Sequence, residues 1–392
     1  MNNPYSEFAA ARAQHPILWH ELLGVTTWLA TGYKEVEAIL KDSRFVKEAG
    51  RAISPERLPV YSERIAPVMQ LMHNMMLFRD APDHTRLRNL VNKAFTPRMV
   101  DKLRPTIESI ADHLLDDRRS STEHELIRDF SYLLPVLVIA ELLGVPKEDR
   151  DFFRQWSDAF IRFIDFNPSM EELELLSKDI NDSRIYFEQL IALRRSSPRE
   201  DLISGLIASE ESGDQLNTDE MVATCLLLMI AGHETTANLI TNGYRLLLQH
   251  PPMYDALCSN IQLAPNAVEE ILRYEPPVLM TSRMVSEDME FAGQLLYKGQ
   301  DIMLALAGAN RDPSVISDPD KFDITRKTVK HLSFAAGPHF CLGAPLARLE
   351  GIIAFEKLMK RVIHPELIEE PVWRPNIIFR GYESLKFRAE IL

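Results

Sequence analysis

The sequence predicts a mainly α-helical protein with small β-sheets, an α+β fold in a single domain over 1–392, and three features of the chain carry that expectation. Between Pro105 and Gln249, apolar residues recur at helical spacing in one segment after another. From Pro276 to Leu306 the spacing shortens to that of strands, with glycines between them. After Gly343 the run Ala344–Arg361 again reads as a helix. The α-rich parts are then about 69–275 and 344–364, and the β-rich parts about 16–32, 276–307 and 372–392.

Near the start, the β-prone runs Ile17–His20 and Thr26–Ala30 flank Leu23-Gly24 and suggest a hairpin. Tyr33–Lys41 reads as a helix whose apolar stripe is Val36, Ile39 and Leu40. Residues 48–68 carry prolines and many charges, and read as an irregular surface loop. Met69–Phe78 is rich in methionine, which suits either core packing or the flexible lining of a pocket. The following helices are punctuated by Gly144-Val145-Pro146, Asn167-Pro168 and Ser197-Pro198. Leu133–Leu143, the most apolar run, is too short to span a membrane and contains Pro135 and Glu141; it reads as a buried core helix. Thr218 is the expected cap of a long helix with Asp219 and Glu220 in its first turn, stopped by His250-Pro251. At 1.5 Å per residue that helix is about 48 Å long. Strands are then expected at Val278–Met280, Met289–Phe291, Gln294–Tyr297 and Ile302–Ala307, with Gly293 and Gly299 in turns, and the tail from Val372 to Leu392 is strand-like.

The net charge of −13 argues against nucleic acid, whose phosphates would repel the chain. Cys225, Cys258 and Cys341 form no Cys-x-x-Cys pair, so a reducing compartment suits them. The amino terminus has neither the basic nor the apolar region of a secretion signal. A cytoplasmic protein without a membrane anchor is expected.

Four groups of residues bear on chemistry. Cys341 stands between Gly337 and Gly343, just ahead of a helix N-terminus that favours an anion; it is either a thiolate ligand or nucleophile, or a small buried hydrophobe. Ala231-Gly232-His233-Glu234-Thr235-Thr236 interrupts an apolar helix, where Gly costs about 1 kcal/mol against Ala and a buried Glu needs a partner. It is either a packing glycine beside a satisfied polar cluster, or a groove. In the second case Gly232 makes room for a diatomic ligand, Thr235 draws a carbonyl out of the helical ladder and Glu234 feeds protons. His84 and Arg88, four apart, can reach one anionic group or simply face solvent. Glu270 and Arg273 form an i,i+3 pair of a kind common on surfaces.

Taken whole, Phe334-x-x-Gly337-x-His339-x-Cys341-x-Gly343 resembles the haem-binding loop of the cytochrome P450 family. The resemblance implies a Cys341 thiolate as axial ligand of haem b, iron protoporphyrin IX, with Phe334 and Gly343 beside the cofactor. Ala335 departs from the glycine that many members carry there. Ala231-Gly232-x-Glu234-Thr235 resembles the family's oxygen-binding motif, in which the acid and the threonine serve a proton relay; the pair favours O2 with an electron supply over peroxide. By the same resemblance His84, Arg88, Arg283 and His339 would hold the haem propionates. Glu270-x-x-Arg273 would be a buried pair that locks the loop before the cysteine, with Arg326 as a third member. These motifs cover essentially the whole chain in the family's order.

The fold so implied is that of a soluble bacterial P450, with haem between a long central helix and the cysteine loop. The implied activity is a monooxygenase inserting one atom of O2 into an apolar small molecule: a fatty acid, polyketide, terpenoid or steroid-like compound. With no flavin or nucleotide fingerprint, electrons are expected from a separate ferredoxin or flavodoxin and its reductase. Arg348, Lys357, Lys360 and Arg361 are either part of its docking surface or solvated helix charges. Leu77, Phe78, Phe163, Leu227, Leu228, Leu279, Met280 and Phe379 are either pocket walls or ordinary core, and Leu227 and Leu228 are expected to face the haem side.

Overall fold

The computed structural model describes residues 3–22, 25–163, 169–209 and 213–392. They form two compact units, the first made of Met1–Leu58, Ala111–Ser131 and Thr235–Leu392, the second of Pro59–Ile110 and Tyr132–Glu234.

The first unit holds the sheets. Its opening helix, Pro4–Gln14, was not foreseen, although Asn3 caps it by accepting from the Tyr5 N–H and Pro4 occupies the first helical position. Ile17–Leu22 and Val25–Ala30 pair antiparallel as expected, while the turn at Leu23-Gly24 lies outside the described residues. A five-stranded sheet runs Ile17–Leu22, Val25–Ala30, Asp301–Leu304, Thr281–Val285, Phe45–Val46, with the second and third strands parallel. Helix Tyr33–Lys41 buries Val36, Ile39 and Leu40 in a core shared with Ile17, Phe45, Val285, Ile302 and Leu304.

Several strand boundaries differ from the expectation, each for a tertiary reason. Val278–Met280 is reduced to one bridge, Val278 with Phe379, and the strand comes three residues later at Thr281–Val285. Ile302–Ala307 stops being strand at Leu304 and becomes the helical turn Leu306–Ala309. There a Cβ on Gly308 would lie 2.9 Å from Phe8 Cβ, so the small residues admit the N-terminal helix. The α-rich stretch expected to reach about residue 364 ends with its helix at Arg361, and Val362–Leu367 pairs with Lys386–Ile391, which also pairs with Glu123–Glu125. Only that last part of the tail is strand; Pro371 and Pro375 lack the N–H a ladder needs.

The second unit is helical. Of residues 48–68, those of the first unit hold short 3-10 turns at Ala49–Arg51 and Pro55–Arg57, and in the second unit a helix already begins at Ala66. Of the methionine-rich run, Met75 and Met76 are core. Leu133–Leu142 is apolar on every side and buries seven of its ten residues, which is what a helix enclosed by others requires. Met170–Ser196 starts at a capping box formed by Ser169 and Glu172; the expected break at Asn167-Pro168 lies outside the described residues.

The long helix is Thr218–Gln249. Its cap is Asn217 rather than Thr218: the Glu220 N–H donates to Asn217 Oδ1 at 2.9 Å, and the Asn217 N–H to the Glu220 carboxylate at 2.9 Å. Arg86 holds the same end through ion pairs with Glu220 and Asp214. Among the described residues no helix is long and apolar enough to cross a membrane.

Gly243 lies where this helix meets two others of the first unit. A Cβ there would fall 2.5 Å from Phe355 Cζ and 2.7 Å from Ile271 Cδ1. Gly243→Ala gains about 1 kcal/mol of helix propensity but overpacks the core by about 1–3 kcal/mol. We expect it to lower the unfolding free energy by up to about 2 kcal/mol, read from urea denaturation followed by circular dichroism.

Candidate active site

The segment around Cys341 is shaped by two residues in the left-handed region. Ala335 has φ 57° and Gly337 φ 69°. A Cβ on Gly337 would sit 2.5 Å from the Leu40 carbonyl oxygen, so only glycine lets the loop press on the end of helix Tyr33–Lys41. Ala335 adopts the same region with a side chain, a conformation that costs roughly 1–2 kcal/mol. This is the position where the sequence departs from glycine. A single 3-10 turn, Gly337–His339, follows; the Phe340 N–H donates to the Gly337 carbonyl at 3.0 Å and the Cys341 N–H to that of Phe334 at 2.9 Å. Helix Ala344–Arg361 then begins, with the bounds read from the sequence.

Cys341 is thereby held half-buried ahead of a helix N-terminus, where partial positive charge favours a thiolate. A Cβ on Gly343 would reach 3.9 Å from Cys341 Sγ, so glycine keeps that flank of the sulfur clear. The other thiols differ. Burial, with the Asp201 charge adding to it, pushes the Cys225 thiol far up, and partial burial raises that of Cys258.

Behind the loop lies the Glu270–Arg273 pair, and both side chains are 0% exposed. Arg273 Nε and Nη2 donate to the two carboxylate oxygens at 2.7 Å each, and Arg326 Nε adds a bond of 3.1 Å. Arg273 also donates to the carbonyls of Asn310, Pro319 and Lys321, and Arg326 to those of Ser317, Asp318 and Lys321. Asn310 Oδ1 in turn accepts the Leu332 N–H at 2.6 Å, which carries the brace to the approach of the cysteine loop.

On the long helix every residue from Met221 to Leu247 is buried except Leu227, Ala231, Gly232 and Thr235. Leu227, Ala231 and Thr235 are spaced four apart, so one narrow strip of this helix is accessible. Leu228, expected beside Leu227, is buried, although its place seven residues before Thr235 puts it on the same side of the helix. Gly232 is required by packing, the first of the two alternatives read from the sequence: a Cβ there would meet Ile139 Cδ1 at 2.7 Å, so the glycine admits helix Leu133–Leu142. His233 and Glu234 are buried. Ser157 Oγ lies 2.9 Å from His233 Nδ1, and the Tyr132 ring meets the imidazole edge-on at 4.2 Å.

The four candidate anion-binding residues are placed as follows. His84 is buried and Arg88 half-buried on helix Asp83–Ala94; Arg283 is buried on strand Thr281–Val285 and His339 half-buried in the 3-10 turn. Of the candidate pocket walls, Leu279 and Met280 are packed into a cluster with Phe8, Ala11 and Leu29, a core role that needs no ligand. Phe163 is buried, Phe78, Leu227 and Phe379 are half-buried, and Leu77 is exposed. The basic residues after the cysteine are largely committed within the fold. Arg348 pairs with Glu269, Lys357 with Asp112, and Arg361 with Asp112 and Asp116, which leaves Lys360 as the exposed member of the four.

Sequence reasoning missed Glu350. The helical period of Leu346, Leu349 and Ile353 puts it on the buried face, which was the available signal. Its side chain is 1% exposed, and Oε1 has no hydrogen-bond partner. Burial raises the carboxyl to about 8, against a smaller opposing effect of a hydrogen bond with Thr236.

A mostly helical protein that presents one half-buried cysteine at a helix head and an accessible strip on a buried helix is what a haem-thiolate enzyme requires. The family model for cytochrome P450 matches residues 1–362, and the chain belongs to that family. It is 42% identical to the biotin biosynthesis cytochrome P450 of Bacillus subtilis strain 168, over 100% of this chain and 97% of that protein. It is 39% identical to the polyketide biosynthesis cytochrome P450 PksS of the same organism, over 98% and 95%. Among solved structures, P450BioI in complex with acyl carrier protein ligated to hexadec-9Z-enoic acid superposes with a TM-score of 0.92 at 42% identity, covering 99% of each chain. The chain is therefore an enzyme of the cytochrome P450 monooxygenase class with the P450 fold.

The residues present fit the haem that this family implies. One sulfur with its flank kept clear by Gly343 suits a metal whose other donors come from a macrocycle, and among the described residues no cluster of His, Cys, Asp and Glu could hold a bare ion. Removing the Glu270 carboxylate leaves the Arg273 guanidinium buried. Glu270→Ala should therefore lose about 3–5 kcal/mol, seen as a collapse in soluble yield and in the urea midpoint. Glu350 behaves oppositely. Its raised folded value means that stability is fully present below the ordinary 4.5 and is lost as pH rises towards about 8. Glu350→Gln should gain on the parent across that window and level off above it, measured as the difference in unfolding free energy at pH 5, 7 and 9.

Proposed function

We propose that this enzyme is a haem-thiolate monooxygenase that inserts one oxygen atom of O2 into an apolar chain, a fatty acyl or polyketide substrate before a terpenoid or steroid. The observation that carries the reading is Cys341, fixed half-buried at the head of helix Ala344–Arg361 by a turn that only glycine permits at 337. Haem b held there would supply O2 reduction and C–H oxidation, while the chain supplies binding, orientation and protons.

Cys341 would hold the iron through its thiolate, an anion that the helix N-terminus behind it favours. Phe334 fixes the cysteine backbone by accepting its N–H, and Gly343 keeps the approach to the sulfur clear. His84, Arg88, Arg283 and His339 are the candidates that would neutralise cofactor carboxylates, whose burial would otherwise be strongly disfavoured. Ala231, Gly232 and Thr235 offer accessible surface on a helix otherwise closed by packing. The Thr235 hydroxyl holds a proton at that surface, and Glu234, one residue away and buried, replenishes it. Leu227 extends the strip with an apolar contact for substrate.

Electrons would come from a separate ferredoxin or flavodoxin with its reductase. The internal ion pairs of Arg348, Lys357 and Arg361 shift the expected docking charge towards Lys360. We read the chain as one functional domain working in the cytoplasm, which suits three cysteines that form no disulfide. The acyl and polyketide preference is supported by the similarity to P450s of biotin and polyketide biosynthesis and by the P450BioI complex with an acylated carrier protein.

The dithionite-reduced carbonyl complex should show the long-wavelength Soret band of thiolate ligation, and Cys341→Ser should abolish it; an unchanged band in that variant sinks the proposal. Thr235→Ala should keep the band and electron consumption but lower product formation about a hundredfold, the lower end of the range for losing a positioned proton donor. Titrating long-chain fatty acids, their carrier-protein thioesters and macrolactones against the Soret spectrum ranks the substrate classes.

A further inference from the structure

Glu269, next to the buried Glu270, serves a different part of the loop. Its carboxylate accepts from Arg348 Nε at 2.6 Å and Nη2 at 3.0 Å, a two-pronged pairing. His331 Nε2 lies 3.1 Å from the same group. Because the Ser333 N–H donates to His331 Nδ1 at 3.2 Å, the ring proton sits on Nε2 and points at Glu269. Burial alone would raise this carboxyl, yet His331 and Arg348 together bring it down to about 2.

Both partners then close on Phe334. The Arg348 guanidinium lies over the Phe334 ring, 4.5 Å from its centroid, and the His331 ring lies 5.9 Å from it. The Phe334 carbonyl is the acceptor for the Cys341 N–H. His331 enters from the strand of chain before the cysteine loop, and Arg348 from the helix after it. One carboxylate on helix Ala264–Tyr274 thus ties the entry and the exit of the loop together around the aromatic ring that anchors the cysteine backbone.

We propose that Glu269 is a positioning residue for the Cys341 thiolate: through Arg348 and His331 it fixes Phe334 and hence the direction and donor strength of the sulfur. This rests on the reading of Cys341 as the axial ligand. Glu269 and Arg348 keep 27% and 34% of their side chains exposed, and pairs so accessible to water add little to global stability. The effect belongs to the loop and is read at the sulfur, not in the unfolding curve.

The test uses purified holoenzyme. In Glu269→Gln the thiolate carbonyl band should convert to the shorter-wavelength form about fivefold faster than in the parent, the ratio expected from losing an ion pair of this exposure. Its reduction potential should also shift, while the urea midpoint barely moves. Glu269→Asp should recover most of both signals. Arg348→Lys, which keeps the charge but neither the fork nor the stacking, should behave like Glu269→Gln and stands in if that variant does not fold. Conversion rate and potential equal to the parent's in Glu269→Gln overturn the proposal while leaving the ligand assignment intact; a parent without the thiolate band overturns both.

Discussion

A carboxylate taken entirely out of water is the constraint on which the cysteine-bearing part of this enzyme depends. Glu270 meets Arg273, Arg326 and the Asp323 N–H, and the remaining donors of the two guanidinium groups are spent on main-chain carbonyls between residues 310 and 321. A buried ion pair is a poor source of net stability, since desolvation offsets most of the attraction. Its value here is directional. The chain from 310 to 336 contains no helix or strand to satisfy its carbonyls, and two planar forks with fixed donor geometry do that instead. Asn310 passes the constraint to Leu332, and the left-handed pair Ala335 and Gly337 turns the backbone back towards the helix that Cys341 precedes. A sulfur is thereby positioned by hydrogen bonds to main chain rather than by enclosure of its side chain.

The long helix answers a second constraint, that of close approach. Gly232 and Gly243 lie on it 11 residues, about three turns, apart, and each is glycine because a neighbouring side chain occupies the Cβ position: Ile139 in the second unit, Phe355 and Ile271 in the first. The propensity lost at each is about 1 kcal/mol, less than the overpacking that a methyl would cause. Thr235 therefore sits in a helix fixed by tight contacts on an adjacent face. The proton-handling role proposed for its hydroxyl would need such rigid placement, because a displacement of about 1 Å can cost two orders of magnitude in rate.

How much of this was legible in the sequence follows from how local each feature is. Tyr33–Lys41 and Ala344–Arg361 could be read with their bounds because amphipathic period, caps and breakers all lie within the segment. Glu123–Glu125 could not, since three polar residues become strand only by pairing with Lys386–Ile391 more than 250 positions away. The same rule separates the charged residues. Glu270 and Arg273 look like a surface pair until the acceptors of 310–321 are folded around them, and Arg348, Lys357 and Arg361 look like an exposed basic patch until Glu269, Asp112 and Asp116 are brought beside them. Gly232 was legible as unusual, but its cause was Ile139, which no local pattern indicates. Glu350 was the opposite case, a polar residue on an apolar face that helical period alone could have exposed.

Substrate selection stands apart from this framework, and the comparisons show why. Relatives named for biotin biosynthesis and for polyketide biosynthesis match the chain over nearly its whole length at 42% and 39% identity, so overall similarity does not separate acyl from polyketide chemistry. Residues whose environment the core dictates, such as Leu279 and Met280 beside Phe8, are constrained by packing whatever the substrate. Of the apolar residues singled out from the sequence, Leu77, Phe78, Leu227 and Phe379 are left partly accessible by the core and Leu228, Leu279 and Met280 are not. Exchanging the first group costs the fold little, because their side chains are not fully buried; exchanging the second opens cavities costing about 2–5 kcal/mol each. A fold that fixes Cys341 through main-chain contacts can change the first group freely, which is the physical condition for one scaffold to serve several functions.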